Sequence, residues 1–150
     1  MIGVRLATFE DSNDIFEWRN DSHTRQMSHN TKAVEREEHK SWFEATLKNS
    51  NRCLLVCNDE NGEKVGVVRF DIEINVAKLS INLNPNVRGR GLAKKCLNEA
   101  IRFVRNAYPK LKFLKAKIKN INIASRKTFE GIGFEFEVEN DGVRHYKILF

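Results

Sequence analysis

The stretch NVRGRGLAKK, from Asn86 to Lys95, lies between an apolar strand-like segment and a helix-like one. Gly89 and Gly91 remove side chains where the chain passes from strand to helix, so backbone N–H groups can surround an anion there. The following helix adds the positive end of its dipole, and Arg88 and Arg90 add mobile positive charge. The pattern suits a phosphate-bearing ligand. An ordinary basic turn has the same composition, so the stretch alone leaves both interpretations open.

Two common phosphate-binding motifs do not match this stretch. A Walker A loop would continue with GK followed by Ser or Thr, and a dinucleotide-binding fingerprint would place GxGxxG after the first strand of the fold. The sequence has neither pattern here. Any phosphate site at this loop is therefore of another kind.

The segments on both sides of the loop have the periodicities of a strand and a helix. Before it, Leu79, Ile81 and Leu83 alternate with polar residues, as in a strand with one buried face. After it, apolar residues recur at helical spacing from Leu92 to Ala107, so one face of that helix should pack on a sheet. The whole chain predicts the order β-α-α-β-β-β-α-β-α-β-β, a mixed α+β fold around one sheet.

Composition predicts one soluble globular domain over residues 1–150. Hydrophobic residues make up 41% of the chain and charged residues 31%, as in ordinary globular proteins. No apolar run is long enough to cross a bilayer, and the N-terminus has no signal-peptide core. The three cysteines lack CxxC spacing and the four histidines are scattered. We therefore expect no metal site, no membrane partner, and reduced thiols in a cytoplasmic protein.

Positive charge is concentrated in the second half of the chain. The net charge is +6, and thirteen Lys or Arg residues lie between Arg88 and Lys127 against one acid, Glu99. Such a field suits phosphate-bearing ligands, and it suits nucleic acid as well. Charge therefore narrows the class of ligand without identifying it.

A second motif about thirty residues further on decides between the two interpretations of the loop. RGRGLA fits R/Q-x-x-G-x-G/A at Arg88, Gly91 and Ala93, and NIASRKTFEGIGFE supplies an N-x-x-S element followed by an aromatic residue, Glu and a GF pair. The matching positions in the second motif are Asn122, Ser125, Phe129, Glu130, Gly133 and Phe134. With these two motifs the chain resembles the GNAT superfamily of acyl-CoA-dependent N-acetyltransferases. The resemblance implies a mostly antiparallel, mixed sheet of about six to seven strands flanked by about four helices.

The resemblance also implies a site for acetyl-CoA as acetyl donor. The pyrophosphate would lie on the backbone amides of the glycine loop, and the pantetheine arm would pair with the end of the preceding strand. Asn122 and Ser125 would line the other wall, with Phe129 packed against the cofactor tail. The implied cofactor-binding residues are Leu83, Asn84, Pro85, Arg88, Gly89, Arg90, Gly91, Leu92, Ala93, Asn122, Ser125 and Phe129.

The catalytic residues are less clearly marked than the cofactor site. The backbone N–H near Leu83 is expected to polarise the thioester carbonyl. Many relatives place a proton-donating tyrosine where this chain has Phe129, so Ser125, Tyr146 or water would have to replace it. Lys78 occupies a common position for an acid on the fourth strand. Glu73, Asp71 and His29 are then the alternatives for the base, and the expected catalytic set is Leu83, Ser125 and Glu73.

The acceptor should be bound by the first two helices and the loop between them. Aromatic, arginine and amide side chains there suit the base, diphosphate and hydroxyls of a sugar nucleotide. The expected residues are Trp18, Arg19, Asn20, Arg25, Ser28 and His39. This arrangement resembles amino-sugar N-acetyltransferases of the pseudaminic acid pathway, which implies direct attack by the 4-amino group of a nucleotide-linked 4-amino-4,6-dideoxy sugar in a ternary complex.

Two other functions remain open from the sequence. Acetyltransferases for ribosomal-protein N-termini or small-molecule amines have similar first helices, which gives an alternative acceptor. A non-catalytic acyl-CoA or nucleic-acid binding module is the other alternative, with nucleic acid the less favoured ligand. The sequence leaves a monomer and a homodimer equally possible.

Overall fold

The computed structural model describes all residues from Met1 to Phe150, and they form one seven-stranded sheet with strand order β1-β2-β3-β4-β5-β7-β6. The strands are β1 (Gly3–Leu6), β2 (Arg52–Asn58), β3 (Lys64–Glu73), β4 (Val76–Leu83), β5 (Phe113–Lys119), β6 (Glu135–Asn140) and β7 (Val143–Leu149). The helices are α1 (Ser12–Asn20), α2 (Ser22–Met27), α3 (Arg36–Lys48), α4 (Leu92–Ala107) and α5 (Ile123–Gly131). The predicted α+β class and GNAT-like fold are confirmed.

The sequence predicted about four helices, and the structure has five because a short α2 follows α1 directly. Asp21 separates the two helices and caps α2, since its carboxylate accepts hydrogen bonds from the Thr24 N–H at 3.1 Å and from the Thr24 hydroxyl at 3.3 Å. A six-residue helix has no room for an apolar periodicity. The sequence pattern therefore did not predict α2.

The two faces of the sheet are covered by different helices. On one face α4 and α5 pack over most of the sheet, and the buried side of α4 consists of Cys96, Leu97, Ala100 and Val104. On the other face α1 and α3 cover β2 and β3 through a smaller apolar cluster that includes Trp18 and Phe43. That second face is left uncovered over β5, where Lys115 and Lys117 are exposed.

The strands β4 and β5 part after three residues of pairing. They are the only parallel neighbours in the sheet, and their pairing extends only over Val76–Lys78 and Phe113–Lys115. The antiparallel pairing of β4 with β3 continues to Leu83. The second half of β4 therefore has a free edge that faces a gap between the two strands.

None of the helices is long and apolar enough to cross a membrane.

A buried carboxylate ties the N-terminal segment to the sheet. The side chain of Asp11 is 1% exposed and accepts two hydrogen bonds from the Arg5 guanidinium, both at 2.8 Å. It also accepts the Thr8 N–H at 2.8 Å, and the Lys64 ammonium of β3 lies 2.8 Å away. Burial alone would raise the pKa of Asp11, but these partners outweigh it and hold that pKa well below its ordinary value. The carboxylate thus links β1, the start of α1 and β3.

Replacing Asp11 by Ala should lower the free energy of unfolding by about 3 kcal/mol, because it removes the one partner that all these donors share. The folded-state pKa of Asp11 is depressed, so its contribution should be fully present above the unfolded pKa of about 3.9 and shrink progressively as the pH falls from there towards the folded-state pKa. Urea unfolding of both proteins from pH 3 to pH 7 measures the difference.

Asp14→Ala is the matched control, since Asp14 also contacts Lys64, at 3.0 Å, but its side chain is 46% exposed. It should cost less than about 1 kcal/mol. Equal losses for the two variants, or a loss at Asp11 that does not shrink in acid, would contradict the assignment of Asp11 as the buried anchor.

Candidate functional site

The loop between β4 and α4 presents backbone donors without partners. Gly89 and Gly91 have positive φ angles of 79° and 70°, a conformation that side chains with a Cβ rarely adopt. A Cβ built on either glycine would meet no protein atom within 4 Å, so the space beside them is open. The N–H groups from Arg88 to Gly91 donate no hydrogen bond within the protein. Together with the free N–H groups of the first turn of α4, they form a cradle for an anion.

A cleft of about 350 Å³ lies beside this loop, and we call it the glycine-loop cleft. Its walls come from the end of β4, the loop, α2 and α5. Lining residues that the sequence predicted for the cofactor are Leu83, Arg88, Gly89, Gly91, Leu92, Ala93, Asn122, Ser125 and Phe129. Segments about thirty residues apart in the chain therefore meet at one cleft, as their two motifs predicted.

The free edge of β4 adds a backbone donor to the cleft. The N–H of Asn84 donates to the Val65 carbonyl on β3 at 2.9 Å. Because N–H groups alternate between the two sides of a strand, the N–H of Leu83 is directed away from β3, towards the gap. A carbonyl oxygen in the gap could accept it.

The opposite wall is formed by the start of α5. Asn122 caps the helix, and its Oδ1 accepts the Ser125 N–H at 3.2 Å. Phe129 is 2% exposed and its ring packs edge-on against Phe134 at 5.1 Å. Phe129 thus packs within the protein core, and its contact with the cofactor tail stays a prediction.

A second cavity, of about 300 Å³, adjoins the first, and we call it the central cavity. The two share a wall formed by Met27, Ser28, Ile81, Asn82, Asn122, Ser125 and Phe129. The titratable residues that line the central cavity are Arg19, His29, Lys32, Arg69 and Lys117, and none of its lining residues is a carboxylate. A molecule in this cavity would lie directly beside one held in the glycine-loop cleft.

A third cavity, of about 370 Å³, continues the central one over the uncovered face of the sheet, and we call it the outer cavity. It shares His29, Arg69 and Lys117 with the central cavity. It adds Lys78, Lys115 and His145 as basic groups and Asp71 and Glu137 as acids. The Asp71 carboxylate is already paired with Arg52 at 3.5 Å and with Arg69 at 3.3 Å. Positive charge therefore dominates both cavities.

Three of the predicted cofactor residues do not line the glycine-loop cleft. Asn84 holds the turn before the loop, where its side chain accepts the Asn86 N–H at 3.0 Å and donates to the Lys64 carbonyl at 3.1 Å. Pro85 opens that turn, and Arg90 is exposed. Arg88 does line the cleft, but its guanidinium is bound to the Asp21 carboxylate and, at 2.8 Å, to the Thr24 hydroxyl. The backbone N–H of Arg88 is therefore available to a ligand, whereas its side chain is already hydrogen-bonded within the protein.

The structure does not bring Glu73 to the site. Glu73 is exposed and pairs with Val76 at the start of β4, whereas Leu83 ends the same strand. Seven residues of extended strand separate the two positions by about 24 Å. The expectation of Glu73 as a catalytic base is therefore incompatible with a reaction at the gap.

Two predicted acceptor residues are packed inside the protein. His39 is 2% exposed and contacts the Ser12 hydroxyl at 3.2 Å and the Ser12 carbonyl at 3.1 Å. Burial lowers the pKa of His39, and the nearby Arg19 adds to the shift. Trp18 is 6% exposed and belongs to the cluster under α1 and α3. Both residues hold the helices in place and do not reach the central cavity.

The remaining acceptor predictions have mixed outcomes. Arg19 and Ser28 line the central cavity. Asn20 instead fastens the loop after α2, since its side chain donates to the Val34 carbonyl at 2.9 Å and accepts the Val34 N–H at 2.8 Å. Arg25 lines none of the three cavities.

Sequence reasoning missed the basic residues that the sheet contributes. Arg69, Lys117 and His145 lie on β3, β5 and β7, far from the first two helices in sequence. The available signal was the alternation in FLKAKIK, which places Lys115 and Lys117 on one face of β5 while Leu114 and Ala116 are buried on the other. That alternation was interpreted only as a strand.

Comparison with known proteins identifies the family. The model of the acetyltransferase (GNAT) domain matches residues 2–135. A Bacillus subtilis (strain 168) protein named as a phosphinothricin acetyltransferase is 29% identical over 138 residues, which cover 87% of this chain and 82% of that protein.

Two solved structures share the fold. The spermidine N-acetyltransferase from Vibrio cholerae, in complex with CoA and spermine, has a TM-score of 0.87 at 18% identity and coverage of 99% and 95%. The Campylobacter jejuni N-acetyltransferase PseH, in complex with acetyl coenzyme A, has a TM-score of 0.77 at 20% identity and coverage of 99% of each chain.

The family match spans β1 to β5, all five helices and both motifs. Enzymes of this family take the acetyl group from acetyl-CoA, which agrees with a cradle of free N–H groups beside a cleft. The chain is therefore a member of the GNAT acetyltransferase family.

Proposed function

We propose that this acetyltransferase acts on the primary amine of an anionic small molecule, with a nucleotide-linked 4-amino-4,6-dideoxy sugar of the pseudaminic acid type as the preferred acceptor. The observation that carries the proposal is the charge of the central cavity. Four cationic side chains, Arg19, Lys32, Arg69 and Lys117, line it without a carboxylate among them. Such a lining stabilises phosphate or carboxylate groups and repels polycations.

The proposed position of acetyl-CoA follows from the free donors. Its pyrophosphate would lie on the N–H groups from Arg88 to Ala93, with Gly89 and Gly91 allowing close approach of the backbone. The pantetheine arm would run along the free edge of β4, and the thioester carbonyl would accept the N–H of Leu83. This places the acetyl carbon at the wall that the glycine-loop cleft and the central cavity share, beside Ser125.

The proposed reaction is direct transfer in a ternary complex. An amine in the central cavity would meet the thioester across the shared wall, so holding both substrates supplies proximity and orientation. The N–H of Leu83 would stabilise the oxygen that gains negative charge as the amine attacks. Ser125 is part of the same wall, and its hydroxyl would donate a hydrogen bond to the leaving thiolate.

The charge of the cavities also ranks the alternative acceptors. Spermidine carries several positive charges, and the Vibrio cholerae enzyme of the same fold is named for it. Here the acceptor side presents cations, which disfavours such a substrate. Phosphinothricin, after which the Bacillus subtilis relative is named, is a small amino acid with two anionic groups. It is therefore the second candidate, ahead of a protein N-terminus.

A panel of acceptors tests the proposal. The protein is mixed with acetyl-CoA and a nucleotide-linked 4-amino sugar, phosphinothricin, an N-terminal peptide or spermidine, and free CoA thiol is measured. The expected order is the nucleotide sugar first, then phosphinothricin, with spermidine at least about 100-fold lower in kcat/KM because like charges oppose its binding. Preference for spermidine or for the peptide would contradict the proposal.

Lys117→Met should raise the KM for the anionic acceptor about tenfold at pH 8.5, since one charge-assisted contact is lost. The dissociation constant of CoA should stay unchanged. Lys127→Met is the control, because Lys127 is exposed on α5 and lines none of the three cavities. Equal effects of the two variants would show that only the general field of the protein matters.

Gly91→Trp should weaken CoA binding by at least about 100-fold, because the side chain would enter the open space of the cradle. Isothermal titration with CoA measures the loss. Gly62→Trp controls for backbone strain, since Gly62 has a φ of 81° and open space around it, but lies in the turn between β2 and β3. Unchanged CoA affinity in Gly91→Trp would overturn the proposed position of the pyrophosphate.

A further inference from the structure

The central cavity contains one side chain that can accept a proton near neutral pH. An amine nucleophile is protonated in water and must lose a proton before or during attack. Four of the five titratable residues around the cavity are Arg or Lys, whose side chains are cations at neutral pH and cannot accept a proton. They are Arg19, Lys32, Arg69 and Lys117. The fifth is His29. No carboxylate lines the cavity, so the base that relatives often use is not available here.

The loop that carries His29 is fixed over the gap between β4 and β5. On the C-terminal side of His29, two hydrogen bonds between Asn20 and Val34 hold the loop. On the N-terminal side, Lys119 of β5 donates a hydrogen bond to the Gln26 carbonyl at 3.1 Å. His29 lines both the central and the outer cavity, so its ring stands where the two join.

The β5 strand offers a backbone partner that can orient the ring. The Asn120 N–H donates to the Gly142 carbonyl, and the Lys112 carbonyl accepts the Phe150 N–H. Even-numbered residues of β5 thus bond towards the C-terminal strands, and the backbone groups of Lys117 are directed into the gap. The Lys117 backbone carbonyl therefore faces the His29 ring. When one ring nitrogen donates to a carbonyl, the other keeps its lone pair for a proton.

The charges around His29 favour its neutral form. The His29 side chain is exposed, but its partial desolvation lowers its pKa, and the charges of Lys117 and Lys119 on β5 and the neighbouring His145 on β7 lower that pKa further. The Lys117 backbone carbonyl acts in the opposite direction but does not reverse the shift in the pKa of His29. The other charged groups that share its cavities are Arg19 on α1, Lys32 on the same loop, Arg69 and Asp71 on β3, Lys78 on β4, Lys115 on β5 and Glu137 on β6.

We propose that His29 is the general base that accepts a proton from the acceptor amine. The proposal rests on the function proposed above. The amine nitrogen forms the new C–N bond with the thioester carbon, the C–S bond breaks with its electron pair on sulfur, and one proton passes from nitrogen to His29 and then to solvent. A second proton from the initial ammonium group ends on the CoA sulfur. Charge and atoms then balance as acetamide, free thiol and one released proton.

The other candidates for this role are engaged or distant. His39 is buried against Ser12. Asp71 is paired with two arginines. His145 lines the outer cavity but not the central one.

Three measurements test His29 together. His29→Gln should lower kcat about 100-fold and leave the CoA dissociation constant unchanged, as expected for loss of a general base. In the wild type, the acid limb of kcat/KM should contain an ionisation that matches the His29 imidazole titration followed by NMR, below its ordinary value of about 6.5. His29→Gln should lose that ionisation. His29→Ala should regain at least about tenfold in kcat when imidazole is added, because a free base can then enter the vacated space.

Thr31→Ala is the matched control, since Thr31 is exposed on the same loop and lines neither cavity. It should keep the wild-type kcat and show no response to imidazole. If the wild type acetylates its acceptor while His29→Gln keeps the kcat and the acid limb, the role of His29 is overturned and the proposed function stands. A large loss in kcat without imidazole rescue, with the acid limb retained, overturns it as well. If the wild type releases no thiol with any amine, the proposed function itself fails.

Discussion

The parting of β4 and β5 is the constraint on which the site depends. Parallel pairing of the two strands stops after three residues, although β4 continues for five more along β3. Each strand then has backbone groups without a partner in the sheet, and unpaired groups of this kind are costly unless water or a ligand satisfies them. The gap thereby supplies donors for one substrate, exemplified by the N–H of Leu83, and room for a second. All three cavities border β4, and the central and outer cavities border β5 as well.

The elements around the gap divide the work between the two substrates. The glycine loop and α5 form the donor side with backbone amides and a capped helix start. The loop after α2 and the uncovered face of the sheet form the acceptor side with charged side chains. The ion pair between Arg88 and Asp21 joins the two sides, because it ties the glycine loop to the start of α2. In the proposed function, the donor side therefore relies on backbone amides and the acceptor side on charged side chains.

Nine of the twelve residues that the sequence predicted for the cofactor line one cleft, because the signals that indicated them are local. Glycines at positive φ, a strand before them and an amphipathic helix after them occur within a few residues, and Asn122 marks the start of α5 in the same way. The acceptor side was predicted less well because its residues come from strands that are distant in sequence. The indole of Trp18 and the imidazole of His39 have polar atoms suited to a ligand, yet helix packing buries both. Register and burial across a sheet decide such cases, and neither can be seen in a single stretch of residues.

In the proposed complex, acetyl-CoA lies in the gap between β4 and β5 with its pyrophosphate on the glycine loop. Backbone ¹H–¹⁵N spectra recorded during a titration with acetyl-CoA test this position. The largest shifts are expected at the N–H groups of Leu83, Gly89 and Gly91, with Gly62 in its distant turn unchanged. Shifts confined to the exposed basic face of α4, around Arg102 and Arg105, with none at Leu83 or the two glycines, would contradict it.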